Sequence, residues 1–185
     1  MAGMRRVHLI NFVRTMAFTT VVFLAPLQFM RLGFDGVGIG LVVAMLAAAP
    51  IVFAFPTGWL NDRVSMKKVI LGGLLAMAIL IAAVGYIRGV APMAAAFLLL
   101  GIANNAINVS INSFYYKHES GGDPNRKYGR FVGWLSLGPP AGLVLGSLMI
   151  RIAGFRSLLW AMAALAVLVV PAVRGLGEER FAAIS

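Results

Sequence analysis

Apolar residues dominate the chain in long runs, and short clusters of Gly, Pro, Asn, Asp and basic residues separate one run from the next. A helix that crosses about 30 Å of hydrocarbon at 1.5 Å per residue needs roughly 20 mostly apolar residues. Six runs approach or exceed that length: Val7 to Met30, Val37 to Trp59, Val69 to Ile87, Pro92 to Tyr116, Gly129 to Ile150 and Ser157 to Val173. The expected fold is an all-α membrane protein, with residues 1–185 forming a single domain of six transmembrane helices. Arg5 and Arg6 ahead of the first run resemble the start of a secretory signal, but the run is long, carries Arg14 and lacks a small-x-small cleavage site, so it reads as a retained helix. Pro26, Pro50, Pro56, Pro139 and Pro140 fall inside the runs, and each removes a backbone donor, which predicts kinks nearby.

Composition agrees with this pattern. Of 185 residues, 61% are hydrophobic and 12% charged, and the mean hydropathy is +0.90, which excludes an ordinary soluble domain. The formal charge of +10 belongs to short loops on one membrane face rather than to nucleic-acid binding. With the N-terminus inside, eleven basic residues fall on the inner side: Arg5, Arg6, Arg63, Lys67, Lys68, Lys117, Arg126, Lys127, Arg130, Arg174 and Arg180. The outer turns hold four, Arg31, Arg88, Arg151 and Arg156, and Arg14 is intramembrane. This asymmetry predicts a multi-pass protein of a cell membrane, taken as a bacterial inner membrane, with both termini cytoplasmic.

There is no Cys, and the two His residues, His8 and His118, have no second ligand near them in sequence. No metal site and no cofactor are expected. No Asp or Glu lies within a run, and no nucleophile is paired with a base, so an enzyme is not expected.

The segment Gly58-Trp59-Leu60-Asn61-Asp62-Arg63-Val64-Ser65-Met66-Lys67-Lys68 separates the second and third runs on the basic side. A Gly there lets helices approach, an Asp can meet a cation or a helix N-terminus, and the basic residues sit among anionic headgroups. It resembles the loop between helices two and three of the major facilitator superfamily, Gly-x-Leu-x-Asp-Arg-x-Gly followed by basic residues, with Ser65 in the place of the second Gly. In the fifth run, Gly138-Pro139-Pro140-Ala141-Gly142 resembles the family's Gly-Pro-x-x-Gly motif, where small residues and proline allow bending and close packing. Tyr128-Gly129-Arg130 is similar to the start of helix five in sugar and nucleoside proton symporters of the family, although Val132 stands where those carry a second Arg. The resemblance implies a conformational latch at Gly58, Asp62, Arg63, Lys67 and Lys68, and a bending motif at Gly138, Pro139 and Gly142. It also implies one half of a transporter built from two six-helix halves, with solute held between them.

Two groups of polar residues inside the runs are candidates for a solute cavity. In the fourth run Asn104, Asn105, Asn108, Asn112, Tyr115 and Tyr116 fall on one face at 100° per residue. Such a stripe faces a cavity or makes interhelical hydrogen bonds, and the pattern leaves both open. In the first run Asn11, Arg14 and Thr15 share a broad face. An intramembrane Arg costs roughly 2.5 to 3.5 kcal/mol on insertion scales, so Arg14 either binds an anionic group or extends toward the headgroups.

Two functions fit. The first is a half-size transporter that moves a small polar or anionic solute by alternating access, paired with a second copy of itself or with a different half-transporter chain. The alternative is a non-transporting structural or assembly subunit of a larger membrane complex. Membrane lipid is a partner in either case, and nucleic acid in neither.

Overall fold

The computed structural model describes residues 2–118 and 124–176. Six helical elements occur in chain order: α1 (Ala2–Arg31), α2 (Gly36–Arg63), α3 (Met66–Val84), α4 (Val90–His118), α5 (Pro124–Leu168) and α6 (Val170–Arg174). Five of them are long and apolar enough to cross a membrane, and α6 is a single short turn. The expected inner turn between the fourth and fifth runs centres on residues 119–123, outside the described residues.

Five long elements stand where six runs are expected because the fifth run and most of the sixth fall within α5, whose 45 residues are two helical limbs meeting at a kink. A straight helix of that length would measure about 68 Å, roughly twice the hydrocarbon thickness. It is broken at Gly154, whose φ of 82° and ψ of 170° lie in a region open essentially to glycine. The chain reverses there within one residue. A Cβ placed on Gly146 would lie 3.4 Å from Leu158 Cδ1, whereas a straight helix would hold those two residues about 18 Å apart along its axis. The limb before Gly154 runs parallel to α1, with Gly138, Gly142 and Gly146 beside successive turns of α1 from Phe12 to Leu24. The limb after it returns, so that the Gly175 carbonyl accepts from Arg6 near the start of α1.

The kinks expected at proline do not appear as breaks. Helices α1, α2 and α5 pass through Pro26, Pro50, Pro56, Pro139 and Pro140, and the non-helical residue inside a described helix is Gly154. A proline removes one hydrogen bond, which neighbouring hydroxyls and packing can offset.

Small residues set the closest helix approaches. A Cβ on Gly138 would meet the Phe12 carbonyl at 2.9 Å, and one on Gly142 the Met16 carbonyl at 2.8 Å, so α5 lies directly on the α1 backbone. Gly101 plays the same part between α4 and α2, against Ala49 and Leu46, and Gly73 between α3 and α4, under Ile107. The contacts divide into a pair of α1 with α5 and a group of α2, α3 and α4, with α3 also touching α5. Ile10, Phe29, Leu74, Met77, Phe97, Leu100 and Ile107 fill the fully buried core. Helix α2 is the least covered span, with Ile51 at 82% and Phe55 at 84% exposure.

Gly58 departs from its expected role. Nothing lies within 4 Å of a Cβ built on it, so in this structure it permits no close helix approach. The Ser65 departure from the family pattern carries no backbone strain, because Val64 (φ −116°) and Ser65 (φ −59°) both take conformations open to any L-residue.

Candidate solute site between helices α1 and α4

Arg14 sits a little over three turns into α1 and is 4% exposed. The turns around it face two surfaces, because α1 packs on α5 through Phe12, Thr15, Met16 and Thr20 and turns Arg14 toward α4. Instead of reaching the helix end, the guanidinium crosses to α4. Its Nη1 donates to Asn104 Oδ1 at 2.5 Å. Its Nη2 donates to Asn11 Oδ1 at 2.9 Å, to Thr15 Oγ1 at 3.2 Å and to Asn108 Oδ1 at 3.4 Å.

Every one of these acceptors is neutral. Two buried donors in the same cluster, Arg14 Nε and Asn11 Nδ2, have no hydrogen-bond partner among the described residues. A buried guanidinium held only by amide and hydroxyl oxygens has no counter-charge beside it, and each unmet donor costs free energy until an acceptor arrives. The arrangement is therefore suited to receiving a group rich in acceptor oxygens, with one formal charge or none.

The α4 stripe does not act as one face. Asn104 and Asn108, both half-buried, turn to Arg14, and Asn112 is half-buried one turn further on. Asn105 is buried against α2, where its Nδ2 donates to Thr57 Oγ1 at 3.4 Å. Tyr115 is buried among aromatic rings, 4.4 Å between centroids from Phe131 and 6.1 Å from His8. It forms part of the aromatic packing that joins α1, α4 and the start of α5. The face drawn at 100° per residue is wide enough to touch two neighbouring helices, and the neighbours divide it.

A second polar contact that the run pattern did not single out joins α2 to α4. Ser110 donates to Asn61 Oδ1 at 2.6 Å, and Asn61 Nδ2 is buried without a partner among the described residues. The hint in the sequence was an Asn at the end of a span.

At that rim Arg63 is exposed, with its guanidinium carbon 4.2 Å from the Trp59 ring centroid. Lys67 is half-buried and Lys68 exposed on the first turn of α3. The Asp62 side chain, central to the expected latch, lies outside the described residues. Gly138 and Gly142 are buried on the α1 interface with Pro139 half-buried between them, so here the motif serves close packing. Among the described residues no group of three or more His, Cys, Asp or Glu could hold a metal ion.

A family model described as Major Facilitator Superfamily matches residues 7–180. Among solved structures, a crystal structure of a mutant of the nucleoside transporter NupG is similar, with a TM-score of 0.79 at 21% sequence identity. The match covers 97% of this chain and 46% of that one, so this chain spans less than half of the transporter's length. No curated protein matches in a sequence search.

Proposed function

Because the chain belongs to the major facilitator superfamily, we propose that it forms one half of a transporter that moves a small polar or anionic solute by alternating access. One observation carries the reading. Arg14 is buried in a span with neutral partners, and among the described residues its own Nε and the neighbouring Asn11 Nδ2 have no acceptor. A packed structural arginine would normally find a carboxylate or carbonyls for its remaining donors.

In this reading the two limbs of α5 cross the membrane separately, so that the chain makes six crossings. The Arg6 contact with Gly175 and the parallel run of the first limb along α1 support that count. The basic excess places the α2–α3 turn and both chain ends in the cytoplasm. A second six-helix half, from another copy or from a different chain, covers the open face of α2, and solute is held between the halves. Asp62 and Arg63 act as the rim latch. The fold likeness to a nucleoside transporter adds nucleosides as one neutral class worth testing.

Two measurements test the proposal. Native mass spectrometry of the chain released from its own membrane reads the stoichiometry, and proteoliposomes made from the recovered assembly read uptake of uridine, a neutral probe, and lactate, an anionic one. A pair of halves with saturable uptake of either probe supports it. Recovery only within a complex of unrelated subunits, without uptake, favours the structural role instead.

A further inference from the structure

The three arginines Arg31, Arg88 and Arg156 take no part in the Arg14 site and lie at the other end of the helices from the α2–α3 turn. There a cleft of about 290 Å³ opens between the end of α1, the α3–α4 turn and the reversal at Gly154. Arg31, Arg88, Arg156 and Gln28 line it, over apolar side chains that include Phe29 and Met93. The arginines come from three separate segments. The Arg156 guanidinium lies over the ring of Tyr86, which is not a lining residue, with its carbon 5.1 Å from the ring centroid, and Tyr86 in turn accepts from Trp160 Nε1 at 3.2 Å.

No carboxylate is among the residues that line the cleft. The nearest acid in sequence, Asp35, already caps α2 by accepting from the Gly38 amide at 2.8 Å. Three like charges around one cleft repel, and an anion between them would turn that repulsion into attraction. Guanidinium groups match the oxygens of a tetrahedral oxyanion in pairs, more closely than a point charge does. The volume exceeds what a bare oxyanion needs and approaches the lower range of ligand pockets, so the apolar floor can take the organic part of an ester.

We propose that this cleft binds a phosphate-bearing group, with Arg31, Arg88 and Arg156 on its oxygens. The group would be either the headgroup of an anionic lipid or a soluble phosphate. The inference stands apart from the solute site, since it uses none of the α1–α4 polar cluster.

The test uses the purified full chain in nanodiscs of phosphatidylcholine mixed with phosphatidylglycerol. Native mass spectrometry counts the phosphatidylglycerol retained, and thermal unfolding in phosphatidylcholine alone is followed as inorganic phosphate replaces chloride at constant ionic strength. A basic residue near an anionic headgroup is worth about 1 kcal/mol, so Arg88→Gln should weaken retention about fivefold, and the triple variant at Arg31, Arg88 and Arg156 about a hundredfold. Arg151→Gln serves as the control, because Arg151 lies at the same end but outside the cleft, and it should change nothing. Retention of phosphatidylglycerol without a response to phosphate assigns the site to a lipid headgroup. Stabilisation by inorganic phosphate, lost in Arg88→Gln, assigns it to a soluble phosphate. Equal behaviour of wild type and the Arg88 variant in both assays, or an equal loss with Arg151→Gln, overturns the proposal. Far-UV circular dichroism confirms that each variant is folded.

Discussion

Arg14→Gln separates a binding arginine from a packing one, because the two roles predict opposite balances. The substitution removes donors to four acceptors, Asn104, Asn11, Thr15 and Asn108. At about 0.6 kcal/mol for each hydrogen bond between groups in a membrane protein, the loss is roughly 2.4 kcal/mol. Against it stands the burial of the cation, about 2.5 to 3.5 kcal/mol on insertion scales, which the neutral amide largely escapes. The two nearly cancel, so the folded chain should change in stability by no more than about 1 kcal/mol. Binding of an anion fares differently, since truncating one member of a buried charge pair costs about 2 to 5 kcal/mol, a loss of roughly 30-fold or more in affinity. The assay is thermal unfolding of wild type and variant in the same nanodiscs, alongside uptake or binding of the best solute from the lactate and uridine screen. A large drop in stability with solute affinity unchanged would refute the reasoning and make Arg14 a structural bridge between α1 and α4.

Other consequences are equally direct. Gly142→Ala places a Cβ 2.8 Å from the Met16 carbonyl, a backbone atom that cannot swing away, so denaturation in mild detergent should show a loss of about 1 to 3 kcal/mol. Gly133→Ala on the same helix meets nothing within 4 Å and should instead gain about 0.5 to 1 kcal/mol from helix propensity; equal effects at the two positions would contradict the close α1–α5 packing. Gly154→Ala forces an L-residue into the φ of 82° that the reversal uses, costing about 1 to 3 kcal/mol, and protease accessibility at residues 151–156 should rise. Asp62→Asn should slow solute uptake while leaving membrane insertion intact, and uptake at the wild-type rate would remove Asp62 from the latch.

Much of this architecture is legible from the linear pattern, for a physical reason. In hydrocarbon every backbone donor and acceptor must be satisfied within its own segment, so the length and polarity of an apolar run decide that it is helical without reference to any neighbour. The separation into spans, the turns near Leu32 to Asp35 and Val64 to Ser65, and the family resemblance in Gly58 to Lys68 all follow from that local rule. The pattern also marked Arg14 and the Asn residues of α4 as costly and therefore partnered. Which partners they take was decided by tertiary structure. The α4 stripe divides because Asn104 and Asn108 face α1 while Asn105 faces Thr57 on α2, and helical periodicity cannot tell which neighbour lies on either side of a wide polar arc. The same holds for glycine. A small residue permits close approach but does not cause it, so Gly138 and Gly142 lie on the α1 backbone while Gly58 meets open space. A turn between Ile150 and Ser157 is legible as the gap between two runs, but its placement at Gly154 and the gathering of Arg31, Arg88 and Arg156 around one cleft belong to the fold, since a local pattern cannot say which distant turns meet.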